Sequence, residues 1–196
     1  MMRRDRLDHI LRAAAEVTGH KIFVLAGSSA IVVRCRNIPG DMLMMQEADV
    51  YVPGTPDAEA LSDAIDANIG QGSAFHTQYG YDADGVSSGT SVTPTDREQR
   101  AQPYHGSGCP GVTAIVPDFD DVALARSWPG GRKTRIGWNP ALRARLLSLE
   151  RMASRLDRMP VGAPDPAEMA RRLGWLATAC RAPPPLPPPT PPDARA

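Results

Sequence analysis

The chain has few cysteines, no excess of either charge and no long apolar run, and each of these absences excludes a class of protein. The three cysteines, Cys35, Cys109 and Cys180, are far apart and form no Cys-x-x-Cys or Cys/His spacing. The sequence therefore predicts neither a zinc site nor a disulfide framework. A reducing, cytoplasmic compartment is the expectation that follows from this use of cysteine.

Charge and hydropathy bear on whether the chain binds nucleic acid, enters a membrane or is secreted. The 22 Lys and Arg residues are balanced by 22 Asp and Glu residues, so net charge gives no global argument for binding to nucleic acid. The longest apolar runs, 22–26 and 30–33, are much shorter than the roughly 20 residues that cross a bilayer, and no membrane partner is expected. No apolar segment follows the charged residues 1–8, which predicts that the chain has no signal peptide.

Apolar periodicity and turn residues predict the order of helices and strands. The predicted helices cover residues 4–18, 55–69, 119–128, 139–159 and 166–180, with one more opening at Ala30, and the predicted strands cover 21–26, 42–52 and 112–116. Residues 71–111 are rich in Gly, Ser, Thr, Pro and Asp and are predicted as loops with one or two short strands. This order favours an α+β or α/β domain with a helical C-terminal part.

The chain divides into three predicted parts. Residues 1–136 form a core, residues 137–181 a helical segment, and residues 182–196 a proline-rich tail that is extended or disordered. One face of the helix predicted over 139–159 carries arginines, namely Arg143, Arg145, Arg151, Arg155 and Arg158. Such a face is most often a solvated surface. If the chain binds nucleic acid, this face and the basic residues of 132–135 are the first candidates for the contact.

The turn Gly27-Ser28-Ser29 is a candidate for binding phosphate. Glycine lets a backbone approach a phosphate closely, and exposed amides together with a serine hydroxyl bind phosphate oxygens. The simpler interpretation is that Gly27 is an ordinary turn glycine and that Ser28 or Ser29 caps the following helix.

Glu47 and Asp49 are candidates for a metal site. Residues two apart in a strand share a face, so both carboxylates point the same way while Ala48 and Val50 turn into the core. Two adjacent carboxylates repel each other unless a cation lies between them, and Mg²⁺ takes such oxygen ligands together with substrate phosphates. The simpler interpretation is that they form the solvated face of an edge strand.

These two segments carry a resemblance to a known superfamily. Residues 23–30, Phe-Val-Leu-Ala-Gly-Ser-Ser-Ala, followed by Glu47-Ala48-Asp49-Val50-Tyr51, resemble the hydrophobic-Gly-Ser and acid-x-Asp signature of the polymerase-beta-type nucleotidyltransferases. The chain is similar in particular to an uncharacterised bacterial group related to the nucleotidyltransferase toxins of abortive-infection toxin–antitoxin systems. Further similarity lies in 69–81, 111–113 and 120–125, so the resemblance covers about residues 7–157.

The resemblance implies an α+β fold with a nucleotidyltransferase-like mixed β-sheet flanked by helices. It implies that Gly27, Ser28 and Ser29 bind a nucleoside triphosphate, and that Glu47 and Asp49 are catalytic and ligate Mg²⁺. A nucleotidyl group would pass to a hydroxyl acceptor on RNA or protein, and an antitoxin would be a partner.

The sequence departs from the pattern of this group at several points. The first acid of the acid-x-Asp pair is Glu47, and 18 positions separate it from Ser28. Residues 130–135 lack the acid of the Gly-Arg-Glu-Lys-Asp-like stretch that is usual there, and the strand predicted at 112–116 carries no third carboxylate. Asp118 and Asp121 are the candidates for that third ligand. Two hypotheses follow: a magnesium-dependent nucleotidyltransferase, and a catalytically inactive binding or regulatory module that keeps the fold.

Overall fold

The computed structural model of the chain describes residues 1–89, 92–126, 139–160 and 165–181. These residues contain five strands: β1 (Ile22–Leu25), β2 (Glu47–Tyr51), β3 (Asp82–Gly85), β4 (Gln102–Tyr104) and β5 (Thr113–Val116). The helices are α1 (Arg4–Thr18), α2 (Ala30–Arg34), α3 (Ala58–Ile69), α4 (Ala74–Tyr79), α5 (Phe119–Arg126), α6 (Asn139–Arg143), α7 (Leu149–Ala153) and α8 (Pro166–Arg181). Short 3-10 turns occupy Gly40–Leu43, Arg97–Arg100 and Leu156–Arg158.

The strands form one mixed sheet in the order β3-β2-β1-β5-β4. Strand β1 runs antiparallel to β2 and parallel to β5, while β2 and β3 are parallel and β4 and β5 antiparallel. The predicted α+β fold with a mixed sheet flanked by helices is confirmed. In the parts of the chain that the structure describes, no helix has both the length and the hydropathy needed to cross a bilayer.

The two faces of the sheet differ in character. One face carries Phe23, Leu25, Ala48, Val50 and Ala114, all fully buried in the hydrophobic core together with the apolar side of α1. Helix α3 packs on this face, so closely that a side chain at Gly85 of β3 would overlap the Ser62 carbonyl of α3. Because successive side chains of a strand alternate, Val24, Glu47, Asp49 and Tyr51 lie on the opposite side, which we call the outer face.

Two predictions for the first half of the chain are wrong, namely where the second strand begins and that no helix lies within residues 71–81. The strand predicted over 42–52 is a strand only from Glu47, since Gly40–Leu43 forms a 3-10 turn. Helix α4 lies in a stretch predicted as loop. It is built from local signals, because the Ser73 hydroxyl accepts a hydrogen bond from the His76 amide and Gly80 ends the helix at φ +69°.

The prediction of one long helix over 139–159 is also wrong, because the helix is interrupted between α6 and α7. Arg145 adopts a φ of +57°, and Asp120 of α5 accepts a hydrogen bond from the Ser148 amide at 2.8 Å. The Ser148 hydroxyl then caps α7 by accepting from the Arg151 amide. This tertiary contact with a buried carboxylate overrides a helical pattern that is continuous in sequence.

Three predictions fall on residues outside those that the structure describes. They are the proline-rich tail 182–196, the boundary between residues 136 and 137, and the basic stretch 130–135. The helix predicted over 166–180 is present as α8, and the predicted helix over 119–128 is present up to Arg126.

Candidate active site on the outer face

The Gly27-Ser28-Ser29 turn follows β1 directly and leads into α2. The Gly27 carbonyl accepts a hydrogen bond from the Ala30 amide at 3.2 Å, and the Ser28 carbonyl accepts from the Ile31 amide at 3.1 Å. Ser28 is half-buried and Ser29 is only 1 % exposed. The turn therefore presents Ser28, and not Ser29, to its surroundings.

Ser29 does not play the part expected from the sequence. It occupies the capping position of α2 but makes no capping hydrogen bond, and its buried Oγ has no hydrogen-bond partner. Of the two serines predicted as candidates for the cap, Ser29 holds the capping position, but its side chain does not cap the helix. A buried Oγ also cannot reach a phosphate while the turn keeps this conformation, so the predicted role of Ser29 in nucleotide binding is limited to its backbone.

Strand β2 carries Glu47 and Asp49 as its alternation predicts. Ala48 and Val50 are fully buried in the core, Glu47 is exposed, and Asp49 is 9 % exposed on the outer face. The Ala26 amide, one residue before Gly27, donates a hydrogen bond to the Asp49 carbonyl at 2.9 Å. This hydrogen bond places the glycine turn and the acidic strand side by side.

A second pair of acids, which the sequence reasoning missed, lies on the neighbouring strand. In the parallel register of β2 and β3, Glu47 pairs with Asp82 and Asp49 pairs with Asp84. Paired residues of adjacent strands project to the same side of a sheet, so four carboxylates lie on the outer face. The signal in the sequence is the alternation Asp82-Ala83-Asp84, which repeats that of Glu47-Ala48-Asp49 but lies in a segment predicted as loops with one or two short strands of unassigned position.

The acids of the outer face are coupled electrostatically. Burial raises the pKa of Asp84, and the negative charges of Asp49, Asp66 and Asp82 raise it further. Burial also raises the pKa of Asp82, although His76 lies 2.9 Å from its carboxylate and opposes the shift. Asp82 is thus engaged by His76, whereas the charge of Asp84 is opposed by its acidic neighbours.

Asp118 and Asp121, the candidates for a third metal ligand, are engaged elsewhere. Asp118 accepts hydrogen bonds from Arg34 at 2.8 Å and Arg155 at 2.7 Å. Asp121 is fully buried and pairs with Arg155 at 2.8 Å and Arg100 at 3.0 Å. Arg155 is only 9 % exposed, so its predicted place on a solvated arginine face is wrong. Asp84, and not either of these acids, lies beside Asp49.

The acids of the outer face suit Mg²⁺ in their chemistry. Carboxylate oxygens are the ligands that Mg²⁺ prefers, and a cation would relieve the repulsion that raises the pKa of Asp84. Among the described residues, no three His, Cys, Asp or Glu side chains are grouped so that they could hold a metal ion. An ion held by three of these carboxylates would therefore require a change of rotamer, whereas one or two carboxylates suffice where water and substrate phosphates complete the coordination.

Comparisons with known proteins leave the site to be interpreted from its geometry. No protein-family model, curated protein or solved structure matches the chain.

Proposed function

We propose that the chain is a magnesium-dependent nucleotidyltransferase-like protein, which transfers a nucleotidyl group from a nucleoside triphosphate to a hydroxyl acceptor on RNA or protein. The acceptor oxygen would bond to the α-phosphorus and lose its proton, while the bond between the α- and β-phosphates breaks and pyrophosphate leaves. The observation that carries the proposal is the register of three strands. It brings the Gly27 turn next to Asp49 through the Ala26–Asp49 hydrogen bond and sets Asp84 directly across from Asp49. A phosphate-binding turn beside a row of acids is the combination that phosphoryl transfer requires.

Each part of the site has a role in this proposal. Gly27 and Ser28 hold the terminal phosphates in this proposal, because glycine permits close approach of the backbone and Ser28 is the half-buried member of a turn whose Gly27 and Ser29 are buried. Glu47, Asp49 and Asp84 would hold Mg²⁺, with Asp84 taking the place of the third carboxylate. The bound ion would neutralise charge on the phosphates and orient them. The rigid pairing of β1, β2 and β3 fixes the relative positions of turn and acids, so catalysis would rest on positioning.

Calorimetric titration of nucleoside triphosphates in the presence of Mg²⁺ tests the proposal. We expect Asp49→Asn and Asp84→Asn each to weaken magnesium-dependent binding at least about tenfold, because even outer-shell partners of a metal contribute about 10–100-fold to affinity. Asp63→Asn is the matched control. Asp63 is an exposed acid of α3 outside the four-carboxylate set, and its loss should leave binding unchanged.

Transfer is measured separately with α-labelled triphosphates, Mg²⁺ and total cellular RNA or protein. Label on a macromolecule that depends on Asp49 supports the enzyme. Binding without transfer supports the alternative, a catalytically inactive module of the same fold. Binding that Asp49→Asn leaves intact overturns the proposed site. The membership in a toxin–antitoxin pair and the antitoxin partner stay predictions of the resemblance.

A further inference from the structure

We propose that a cavity on the outer face, next to Asp49, binds the base and ribose of the nucleoside triphosphate. The cavity has a volume of about 450 Å³, which lies within the range of about 300–1,000 Å³ that is typical of small-molecule sites. The proposal rests on the function proposed above and adds to it the part of the substrate that is recognised.

The floor of the cavity is an apolar surface built by three adjacent strands. Val24 pairs with Tyr51 across β1 and β2, and with Ile115 across β1 and β5. All three side chains line the cavity. Tyr51 is 8 % exposed, and its ring is the aromatic part of this apolar floor. Such a floor suits a planar heterocycle, because bases stack on aromatic side chains with little dependence on their identity.

The rim of the cavity supplies a few polar groups. Thr55 and Ser88 line it, and the Thr55 hydroxyl accepts a hydrogen bond from the Asp57 amide at 3.3 Å. Arg97 and Glu98 come from the 3-10 turn Arg97–Arg100. The Arg97 guanidinium is held by a hydrogen bond to Thr93 Oγ1 at 2.9 Å. An apolar cavity with a small number of fixed polar groups is the usual composition of a site for a small organic ligand.

The position of the cavity matches the order of groups in a nucleoside triphosphate. Tyr51 lies two residues beyond Asp49 on the same face of β2, a separation of about 7 Å along a strand. In the antiparallel register, Tyr51 pairs with Val24 and the Asp49 carbonyl bonds to the Ala26 amide, so Gly27 lies past Asp49 in the same direction. Along β2, Asp49 therefore lies between the cavity and the level of the Gly27 turn, where the α-phosphate of a ligand seated at both ends would be.

Comparison of nucleoside triphosphates with inorganic tripolyphosphate tests this inference. Calorimetry is done with Mg²⁺ and each of ATP, GTP, CTP, UTP and tripolyphosphate. We expect at least one nucleotide to bind the unmodified chain at least about fivefold more tightly than tripolyphosphate, because stacking of a base on an aromatic ring accounts for about 5- to 150-fold in affinity. Tyr51→Ala should reduce this preference, and Tyr51→Phe, which keeps the ring, should preserve it.

A second variant tests the cavity without changing Tyr51, so that a folding defect caused by Tyr51→Ala cannot be mistaken for loss of the cavity. Ala101 is half-buried and lines the cavity, so Ala101→Trp should fill it and lower nucleotide affinity to that of tripolyphosphate while leaving tripolyphosphate binding unchanged. Ala67→Trp, on the exposed side of α3, is the matched control and should change neither affinity.

The outcomes separate the two proposals. Equal binding of nucleotides and tripolyphosphate, with both dependent on Asp49, overturns the cavity and leaves the proposed function standing. A nucleotide preference that survives both Tyr51→Ala and Ala101→Trp also overturns the cavity. If neither ligand binds, or if Asp49→Asn affects neither, the proposed function fails and the cavity proposal fails with it.

Discussion

Replacement of Arg155 by methionine should destabilise the fold strongly, although the sequence pattern predicts that Arg155 lies on the solvated face of a helix. One nitrogen of its guanidinium, Nη1, lies 2.7 Å from Asp118 Oδ1 and 2.8 Å from Asp121 Oδ1. Arg155→Met keeps an unbranched apolar stem but removes the guanidinium and both hydrogen bonds. The Asp121 carboxylate, which has no exposure to solvent, then loses one of its cationic partners.

The size of the effect follows from these contacts. A hydrogen bond to a charged group contributes about 1.5–3 kcal/mol, and removal of one partner of a buried ion pair costs about 3–5 kcal/mol. Asp118 keeps Arg34 and Asp121 keeps Arg100, so the lower part of this range applies, about 3 kcal/mol in the free energy of unfolding. For a chain of this length the expected fall in Tm is about 6–12 °C.

Thermal and urea unfolding of three proteins measure this prediction. The control is Arg158→Met, because Arg158 is 56 % exposed and its pairs with Asp96 and Asp157 are 3.2 and 3.4 Å long. An exposed pair contributes less than about 1 kcal/mol, so the control should unfold close to the unmodified chain. Equal destabilisation by the two substitutions, or a loss of less than about 1 kcal/mol from Arg155→Met, would refute the assignment of a buried role to Arg155.

Two further predictions concern the loss of stability at low pH and the replacement of two glycines. Burial tends to raise the pKa of Asp118, but Arg155 and Arg34 stabilise the charged carboxylate and the pKa is lowered overall. The ionised Asp118 therefore contributes its full stability above the ordinary aspartate pKa of 3.8, and this contribution is lost as pH falls below that value. The difference in Tm between the unmodified chain and Arg155→Met should therefore be constant from about pH 7 to pH 5 and shrink between about pH 4 and pH 3; a constant difference down to pH 3 would contradict it. Gly106→Ala should cost about 1–3 kcal/mol in urea unfolding. The added Cβ would overlap the buried Asp8 carboxylate, which can move away only by losing its hydrogen bonds from the Tyr104 hydroxyl and the Gly108 amide. Gly174→Ala, in open space on α8, should raise the free energy of unfolding by about 0.5–1 kcal/mol. If Gly106→Ala and Gly174→Ala changed this free energy by similar amounts, the contact between residue 106 and Asp8 would be unimportant.

The elements that could be predicted are those with strong local signals. The apolar stripe of α1 and Gly19, with φ +72°, mark a helix and its end, and the short apolar run of β1 marks a buried strand. Helix α4 was missed because it spans only six residues, too few for a helical period to stand out from a polar, glycine-rich stretch. The one or two short strands predicted within residues 71–111 are present as β3 and β4. The position of β3 could not be predicted, because Asp82-Ala83-Asp84-Gly85 has low strand propensity and depends on pairing with β2.

Local sequence by itself determined the alternation of Glu47 and Asp49 with buried residues, because the two-residue period of a strand is a property of the backbone. Only the tertiary structure decided that Asp84 stands across from Asp49, since strand register depends on residues far apart in the chain. The same holds for Arg155, whose burial depends on its distant partners Asp118 and Asp121 and not on the helical period around it. Local rules fix which side of an element a residue faces, and long-range packing fixes what it meets there.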